Sequence, residues 1–218
     1  MEKDGVRLDG TGYLEVLNKF LIPTAYLGPI SYYAILLQKA NCIIEKHEYF
    51  VKQSIRNRCN IYGANGKLRL TIPKIREKSN NTIINNIKIS NEENWQKIHW
   101  NAIESAYNSS PFFIYYKDEL RDIYNNKEIF LMDFNNKIQD VILNFLKVDK
   151  EQMYSNEYNN TGDFKDLRSY KFDINNIPRY DQVFMEKHGF IDNLSILDLL
   201  FNLGPESLDY LYSIETNI

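Results

Sequence analysis

Apolar residues near the start of the chain fall into short blocks that predict strands around a helix. The run 20–23 predicts a first strand, and the run 42–45 predicts a second. Between them, apolar residues at helical spacing predict a helix over 30–40, with Gly28 as its N-cap and Pro29 in its first turn. Strand, helix and strand in so short a stretch predict a βαβ unit with parallel pairing and a right-handed crossover.

The following part of the chain has the pattern of a β-hairpin. The pair Asn65-Gly66 is a strong signal for a two-residue turn, and alternating apolar residues over 68–72 predict the return strand. Farther on, Ile87 and Ile89 indicate one more short strand.

The second half of the chain is predicted to be mainly helical. Residues 90–93 have the form of a capping box, and the apolar stripe that follows over 95–106 predicts an amphipathic helix. The segment 150–180 has little periodicity and is expected to be a long irregular connection. Further helices are predicted over 129–146, 193–203 and 206–214.

These elements predict an α/β fold. Its small mixed or parallel sheet would be opened by the βαβ unit and flanked by helices, with a helical C-terminal part. Residues 1–19 are predicted to form a polar, weakly ordered leader, and residues 20–218 a single domain.

The overall charge and the cysteine content limit the possible partners and compartments. The formal net charge of -3 argues against a general nucleic-acid binder. Cys42 and Cys59 lack any paired spacing, which suits a reducing compartment. The first twenty residues hold no apolar signal-peptide core, and no apolar run reaches the ~18–20 residues that span a bilayer. We therefore predict a cytoplasmic protein without membrane insertion.

Three cations are concentrated in the basic segment, residues 52–58, of this otherwise acidic chain. In an extended conformation one face would carry Lys52, Ser54, Arg56 and Arg58, because strand side chains alternate. Such groups can hold a phosphate or a carboxylate. The alternative is a solvated edge strand, whose charges discourage pairing with other chains. The basic segment is therefore a candidate site for an anionic small molecule.

Two histidines and one glutamate are candidates for catalysis. His99 lies on or beside the buried stripe of its predicted helix, where it is either a hydrogen-bonded structural residue or a general base. His188 lies in a loop ahead of the last buried helix. Glu45 stands where the second strand ends, a usual place for functional residues, and the alternative there is an ion pair with a nearby Lys or Arg.

The remaining polar residues give little sign of a metal or a cofactor. The three histidines have no metal-ligand spacing, so no metal site is predicted, and no motif indicates a cofactor. Asp198 lies among apolar residues of a predicted buried helix, where a carboxylate is costly unless it is paired. We expect it to form a structural bridge with Arg56, Arg58 or a histidine.

Five segments, taken together and in order, resemble the WbqC-like family of bacterial proteins. The resemblance covers roughly residues 20–212, and the leader over 1–19 departs from the family, whose members usually start near the first strand. The matching segments are 23–33, 45–58, 70–73, 94–107 and 187–202.

The resemblance implies a gene of a surface-polysaccharide (O-antigen) cluster and the transfer of a glycyl or other aminoacyl group to a sugar. The first βαβ unit also resembles the nucleotidylyltransferase-type fold, in which a strand-to-helix loop holds nucleotide phosphates. The two-histidine motif of that fold is absent, and Tyr26, Gly28 and Tyr32 stand in its neighbourhood.

We predict a transferase of surface-polysaccharide biosynthesis that moves a small acyl or aminoacyl group onto a sugar or sugar nucleotide. Its expected partner is an anionic small molecule, either a nucleotide sugar or an activated aminoacyl donor. The residues expected to bind that molecule are Lys52, Arg56, Asn57, Arg58 and Tyr26, and the catalytic candidates are His99, His188 and Glu45.

Two alternatives remain beside this prediction. One is a non-catalytic ligand-binding or scaffold protein of the same pathway, and the other is a nucleotidylyltransferase-like enzyme that uses a divalent metal. An enzyme requires the basic segment and at least one catalytic candidate around one concave pocket. A scaffold protein could scatter the same residues over separate faces.

Overall fold

A computed structural model describes residues 19–76, 81–159, 162, 164–174 and 177–218 of the chain. The predicted leader lies outside the described residues except for Lys19. All structural statements below concern the described part of the chain.

The βαβ unit predicted at the start of the domain is present. β1 (Phe20–Ile22) and β2 (Cys42–Ile44) pair in parallel, and α1 (Ile30–Gln38) connects them. Eight of the nine residues of α1 are buried, because a helix that is apolar all round is stable only when it is enclosed. The N-cap of α1 is Pro29; the prediction of Gly28 is wrong by one position.

The predicted hairpin is also present. β3 (Arg58–Gly63) and β4 (Gly66–Thr71) pair antiparallel around the turn, with Gly63 opposite Gly66. The prediction of a strand around Ile87 and Ile89 is wrong, because this segment forms only isolated β-bridges.

The basic segment is not a strand before Arg58. Residues 52–57 form turns and a bend, and Gln53 has a φ of 57° in the left-handed region. The common face predicted for Lys52, Arg56 and Arg58 is therefore wrong, because a chain that turns does not alternate its side chains.

Three helices follow the hairpin. α2 (Trp95–Tyr107) and α4 (Leu131–Phe145) confirm two predicted helices, whereas α3 (Phe113–Asn125) was not predicted. α2 starts after Asn94, so the capping box predicted over 90–93 is wrong. A single 3₁₀ turn, Ile84–Asn86, packs beside α4.

Two short strands from the segment predicted to be irregular complete the main sheet. β5 (Met153–Tyr154) pairs with β2, and β6 (Lys165–Asp166) pairs with β1. The order is β5-β2-β1-β6 and all pairs are parallel. The α/β prediction with a small parallel sheet is confirmed, and the carboxyl ends of its strands lie at one edge.

The C-terminal part is helical, as predicted. It consists of α5 (Met185–His188), α6 (Ile196–Leu203) and α7 (Ser207–Ser213), with the 3₁₀ turn Gly204–Glu206 between the last two. α6 is buried along its first seven residues and starts with Ser195 as a true N-cap, whose hydroxyl accepts from the Leu197 N–H. This buried helix packs against α1, α3 and β3.

Candidate functional site

Glu45 lies directly after β2, at the carboxyl edge of the sheet, and its side chain is fully buried. Its Oε1 accepts hydrogen bonds from the Ser155 hydroxyl at 2.6 Å and from the His47 backbone N–H at 2.8 Å. Its Oε2 accepts from the backbone and side chain of Asn159, at 3.0 Å and 3.4 Å. The carboxylate therefore ties the loop after β5 to the end of β2 through uncharged donors.

Arg56 and Glu48 form a buried ion pair near the same edge. Arg56 donates from Nε to Oε1 at 2.7 Å and from Nη2 to Oε2 at 2.5 Å, and Nη2 also donates to the Arg168 carbonyl at 3.1 Å. The Asn135 side chain donates to the Arg56 backbone carbonyl at 2.8 Å. At least two of the guanidinium nitrogens of Arg56 are thus engaged inside the protein.

Arg168 follows β6 and forms a second pair at this edge. It donates to Asp166 from Nε at 2.9 Å and from Nη2 at 2.8 Å, and its guanidinium lies 4.9 Å from the centre of the Tyr158 ring. Burial raises the pKa of the Asp166 carboxyl, but the hydrogen bonds from Arg168 outweigh burial and hold that pKa below its usual value.

Tyr26 and His99 belong to a buried chain of hydrogen bonds. The Tyr26 hydroxyl lies 2.8 Å from His99 Nδ1 and 2.6 Å from the Tyr124 hydroxyl. Burial lowers the pKa of His99 from 6.5 to about 4, against a smaller opposing effect of a hydrogen bond with the Thr71 backbone. Burial also raises the pKa of Tyr26 well above its usual value. His99 is therefore an uncharged, enclosed imidazole at neutral pH.

Within the described part of the chain, His188 has no hydrogen bond to Tyr26 or Tyr124, and it lies at the tip of the hairpin. Its Nε2 is 2.9 Å from the Ala64 carbonyl, to which Lys187 Nζ also donates at 2.9 Å. Both side chains are exposed. They attach α5 to the hairpin turn.

Two more of the predicted binding residues, Lys52 and Asn57, differ in how far they are buried. Lys52 is exposed in a turn, whereas Asn57 is buried and donates from Nδ2 to the Ile72 carbonyl at 2.9 Å. The Oδ1 of Asn57 is buried without a hydrogen-bond partner among the described residues.

Arg58 lines a concave groove of about 330 Å³, which we call the basic groove. Two further cations, Lys67 and Lys171, line it as well, together with the carboxylates Asp173 and Asp192. The basic groove thus combines an excess of positive charge with a size near the lower end of the usual range for small-molecule pockets, about 300–1,000 Å³.

Two polar atoms of the basic groove are buried and unpaired among the described residues. They are Arg58 Nε, a donor, and Asn60 Oδ1, an acceptor. The two residues are two positions apart on β3, so their side chains point to the same face. A buried polar atom without a partner is costly, and a ligand that supplies an acceptor and a donor would satisfy both.

The start of α1 borders the basic groove, since Pro29 lines it. The first backbone N–H groups of α1 are already used: Ile30 donates to the Leu194 carbonyl at 2.9 Å and Ser31 to Asn193 Oδ1 at 3.0 Å. These two backbone N–H groups are therefore not available to an anion in the groove.

Comparison with known protein families finds one that matches most of the chain. The profile of the WbqC-like protein family matches residues 24–170 and 155–210. The chain belongs to the WbqC-like family. Its resemblance to that family is therefore confirmed over most of the domain.

One curated relative of this WbqC-like protein is the uncharacterized protein Rv1507c of Mycobacterium tuberculosis. The two are 24% identical over 230 residues, which cover 88% of this chain and 96% of the relative. No solved structure matches the chain. Among the described residues, no helix has the length and apolar character to cross a membrane.

The basic groove brings together only one of the predicted site residues of this WbqC-like chain, Arg58. The other seven do not line it: Lys52, Arg56, Asn57, Tyr26, His99, His188 and Glu45. Their roles in binding and catalysis remain predictions, and the convergence on one pocket that we set as the mark of an enzyme is not found in this groove.

Lys67, Lys171 and Asn60 were missed by the sequence analysis. Asn60 could have been found, because it shares the face of Arg58 by the two-residue period of a strand. Lys171 carries no such signal, since it reaches the groove from a segment without periodicity. Within the described residues, no group of three or more His, Cys, Asp or Glu could hold a metal ion.

Asp198 is buried in α6, but its predicted partners are wrong. Its Oδ1 accepts from the Tyr107 hydroxyl at 2.9 Å, and its Oδ2 accepts from the Tyr180 hydroxyl at 2.5 Å and from Gln182 Nε2 at 2.7 Å. Burial raises the pKa of Asp198, and these three hydrogen bonds only partly offset the effect. Neutral hydroxyl and amide donors, not an arginine or a histidine, satisfy this carboxylate.

Proposed function

We propose that this WbqC-like protein binds an anionic small molecule in the basic groove, as the donor site of a transferase of surface-polysaccharide biosynthesis. The donor is a nucleotide sugar or an activated aminoacyl compound, and the group moved is a small acyl or aminoacyl group. The acceptor is a sugar or sugar nucleotide. The observation that carries the proposal is the unpaired, buried Nε of Arg58 in a groove lined by two lysines.

The charges of the groove support an anion over other ligands. Arg58, Lys67 and Lys171 line one small volume in a chain whose formal net charge is negative. A phosphate can accept from the guanidinium in the bidentate manner that an ammonium does not offer. The preference for an anionic ligand therefore comes from the cations that line the groove and not from the net charge of the chain.

The groove also holds carboxylates suited to acyl transfer. In such a transfer the amine or hydroxyl of the acceptor attacks the acyl carbonyl, the phosphate-bearing group leaves, and a base takes the proton of the attacking atom. Asp173 and Asp192 line the groove beside the cations, which makes them candidates for that base. His99 is enclosed and bonded to Tyr26, so the groove offers these carboxylates in its place.

Calorimetry with three defined probes tests the binding step: inorganic phosphate, pyrophosphate and UDP-N-acetylglucosamine. We expect Arg58→Ala to weaken binding of the best probe by at least about tenfold, which corresponds to about 1.4 kcal/mol. Lys171→Ala, an exposed position, should weaken it less. The matched controls Arg121→Ala and Lys97→Ala change exposed cations outside the groove and should leave the affinity unchanged.

The proposal fails if none of the three probes binds, or if Arg58→Ala and Lys171→Ala bind like the controls. Mass spectrometry of a sugar-nucleotide acceptor, incubated with the protein and an aminoacyl phosphate, tests the transfer step. Binding without any modified acceptor would favour the second candidate, a non-catalytic ligand-binding protein. That candidate is supported by the absence of the predicted histidines from the lining of the groove.

A further inference from the structure

One face of the β3–β4 hairpin carries positive charge that extends beyond the basic groove. Residues that pair directly in an antiparallel ladder place their side chains on the same face of the sheet. The ladder sets Asn60 opposite Arg69 and Tyr62 opposite Lys67, and Arg58 lies two positions before Asn60 on β3. Arg58, Lys67 and Arg69 therefore share one face of the hairpin.

Arg69 is exposed and stands directly beside the basic groove. Its ladder partner Asn60 lines the groove, and the Cβ atoms of directly opposed residues lie about 4.5–5.5 Å apart. Arg58 is the diagonal neighbour of Arg69 across the two strands, at about 7–8 Å. Two guanidinium groups on neighbouring strands can therefore reach the same ligand.

The cations around the groove are not neutralised by carboxylates. Within the described part of the chain, the three ion pairs lie elsewhere, and none involves Lys67, Arg69 or Lys171. Asp173 and Asp192 also line the groove, but neither forms an ion pair with a described residue. The positive charges on this side of the hairpin thus remain available to an anionic ligand.

Two guanidinium groups suit two phosphate groups. Each planar guanidinium binds two oxygens of one phosphate in the bidentate manner. A single phosphate on Arg58 would leave Arg69 without a partner, whereas a diphosphate can occupy both. The ammonium groups of Lys67 and Lys171 are point charges, which add attraction without fixing an orientation.

The amide of Asn60 sets a requirement that phosphate does not meet. Its Oδ1 is buried and has no hydrogen-bond partner among the described residues. The oxygens of an ionised phosphate are acceptors, and so is this amide oxygen. The donor for Asn60 must therefore come from the organic part of the ligand, as a hydroxyl or an N–H group. A nucleoside offers both.

We propose that the basic groove and Arg69 together hold a nucleoside diphosphate. One phosphate pairs with Arg58 and the other with Arg69, and Asn60 accepts a hydrogen bond from the nucleoside. This inference rests on the proposed function, and it selects the nucleotide sugar from the two anionic ligands named there. Arg69 and Asn60 become residues that set the specificity of the site.

Calorimetry with phosphate, pyrophosphate and UDP tests the second phosphate position. We expect Arg69→Ala to weaken binding of pyrophosphate and UDP by at least about tenfold, and of phosphate by less than about twofold. Arg69→Lys should recover part of the loss, because it keeps the charge without the bidentate geometry. The matched control Arg121→Ala changes an exposed cation on α3 and should bind all three probes as the unchanged chain does.

A comparison of UDP with isopentenyl diphosphate tests the role of Asn60. The organic part of isopentenyl diphosphate has no hydrogen-bond donor. We expect Asn60→Ala to weaken UDP by at least about fivefold and to leave isopentenyl diphosphate unchanged. Thermal unfolding followed by circular dichroism checks that every variant folds. An equal effect of Asn60→Ala on both probes would overturn the assignment of Asn60.

The second phosphate position is overturned if UDP and pyrophosphate bind no more tightly than phosphate, or if Arg69→Ala binds them as Arg121→Ala does. If Arg58→Ala still weakens phosphate in that case, the proposed anion site stands and only the nucleoside diphosphate is excluded. No binding of any probe to the unchanged chain would contradict both proposals. The two failures are therefore distinguishable.

Discussion

The guanidinium of Arg56 and the carboxylate of Glu48 face each other inside the protein through two hydrogen bonds, at 2.7 Å and 2.5 Å. Arg56 is 2% exposed and Glu48 is 5% exposed. An ion pair buried away from water adds little to the stability of the protein. If one partner is removed, however, the other becomes a buried, uncompensated charge.

We therefore expect Arg56→Ala to lower the free energy of unfolding by about 3–5 kcal/mol. The double variant Arg56→Met/Glu48→Leu should recover most of that loss, because it removes both charges and keeps the volume. Urea unfolding followed by circular dichroism measures both. A double variant as unstable as Arg56→Ala would contradict the assignment of the pair, and an unchanged single variant would contradict its burial.

The buried imidazole of His99 predicts a loss of stability in mild acid. The pKa of His99 is lowered to about 4 in the folded protein, whereas an unfolded histidine has a pKa near 6.5. Below about pH 6.5 the unfolded chain takes up a proton that the folded chain does not, so unfolding is favoured. The neutral imidazole makes its full contribution to the free energy of unfolding above pH 6.5. About 3 kcal/mol of that contribution is lost by pH 4.

Comparison with His99→Phe isolates this contribution. Asp198, whose pKa is raised by burial, has the opposite sign, since its contribution is lost as the pH rises above the unfolded pKa. That term is common to both proteins and cancels in the difference. Urea unfolding between pH 4 and pH 7 should show a shallower pH dependence for the variant. Equal slopes, or an imidazole that titrates near pH 6.5 by NMR, would refute the prediction.

Gly204 is required by both its backbone and its surroundings. Its φ is 53°, and an added Cβ would meet the ring of Phe112. Gly66 also has a positive φ, 96°, but an added Cβ there meets open space. We expect Gly66→Ala to cost about 1 kcal/mol from the backbone alone and Gly204→Ala clearly more. Thermal unfolding of the two variants measures the difference, and equal costs would exclude the contact with Phe112.

Asp198→Asn should destabilise the protein although it removes a buried charge. The carboxylate accepts from Tyr107, Tyr180 and Gln182, and an asparagine must turn an N–H₂ donor toward at least one of these donors. An unsatisfied buried group costs about 1–3 kcal/mol. Asp209→Asn, at an exposed position, is the control for urea unfolding. A variant as stable as that control would mean that the three donors find other acceptors.

Secondary-structure elements could be predicted from the sequence where one pattern dominated a segment. The hairpin was predicted because its apolar residues alternate at the period of a strand, and α1 because a Gly-Pro start signal stands before an apolar run of helical length. α3 was missed because apolar residues also cover its solvent face: Ile114 is 64% exposed and Tyr115 is 76% exposed, which hides the helical period. β5 and β6 have two residues each, too few for any period, and only pairing with β2 and β1 defines them.

The candidate site was predicted less well for a related reason. The basic segment was assigned a strand-like alternation, but the turn at Gln53 directs Arg56 into the interior and leaves Arg58 at the groove. Lys171 joins Arg58 only through the tertiary structure. A charge pattern along the chain indicates which residues can bind an anion, and the fold decides which of them meet.

The two outer strands of the main sheet have a consequence for synthesis on the ribosome. β1 and β2 are made early, but the neighbours that cover both of their free edges come from residues 153–166. Until that stretch leaves the exit tunnel, the nascent chain presents two unpaired edges, which are prone to pairing with other chains. A truncated product that ends before residue 153 should therefore require a chaperone to stay out of aggregates.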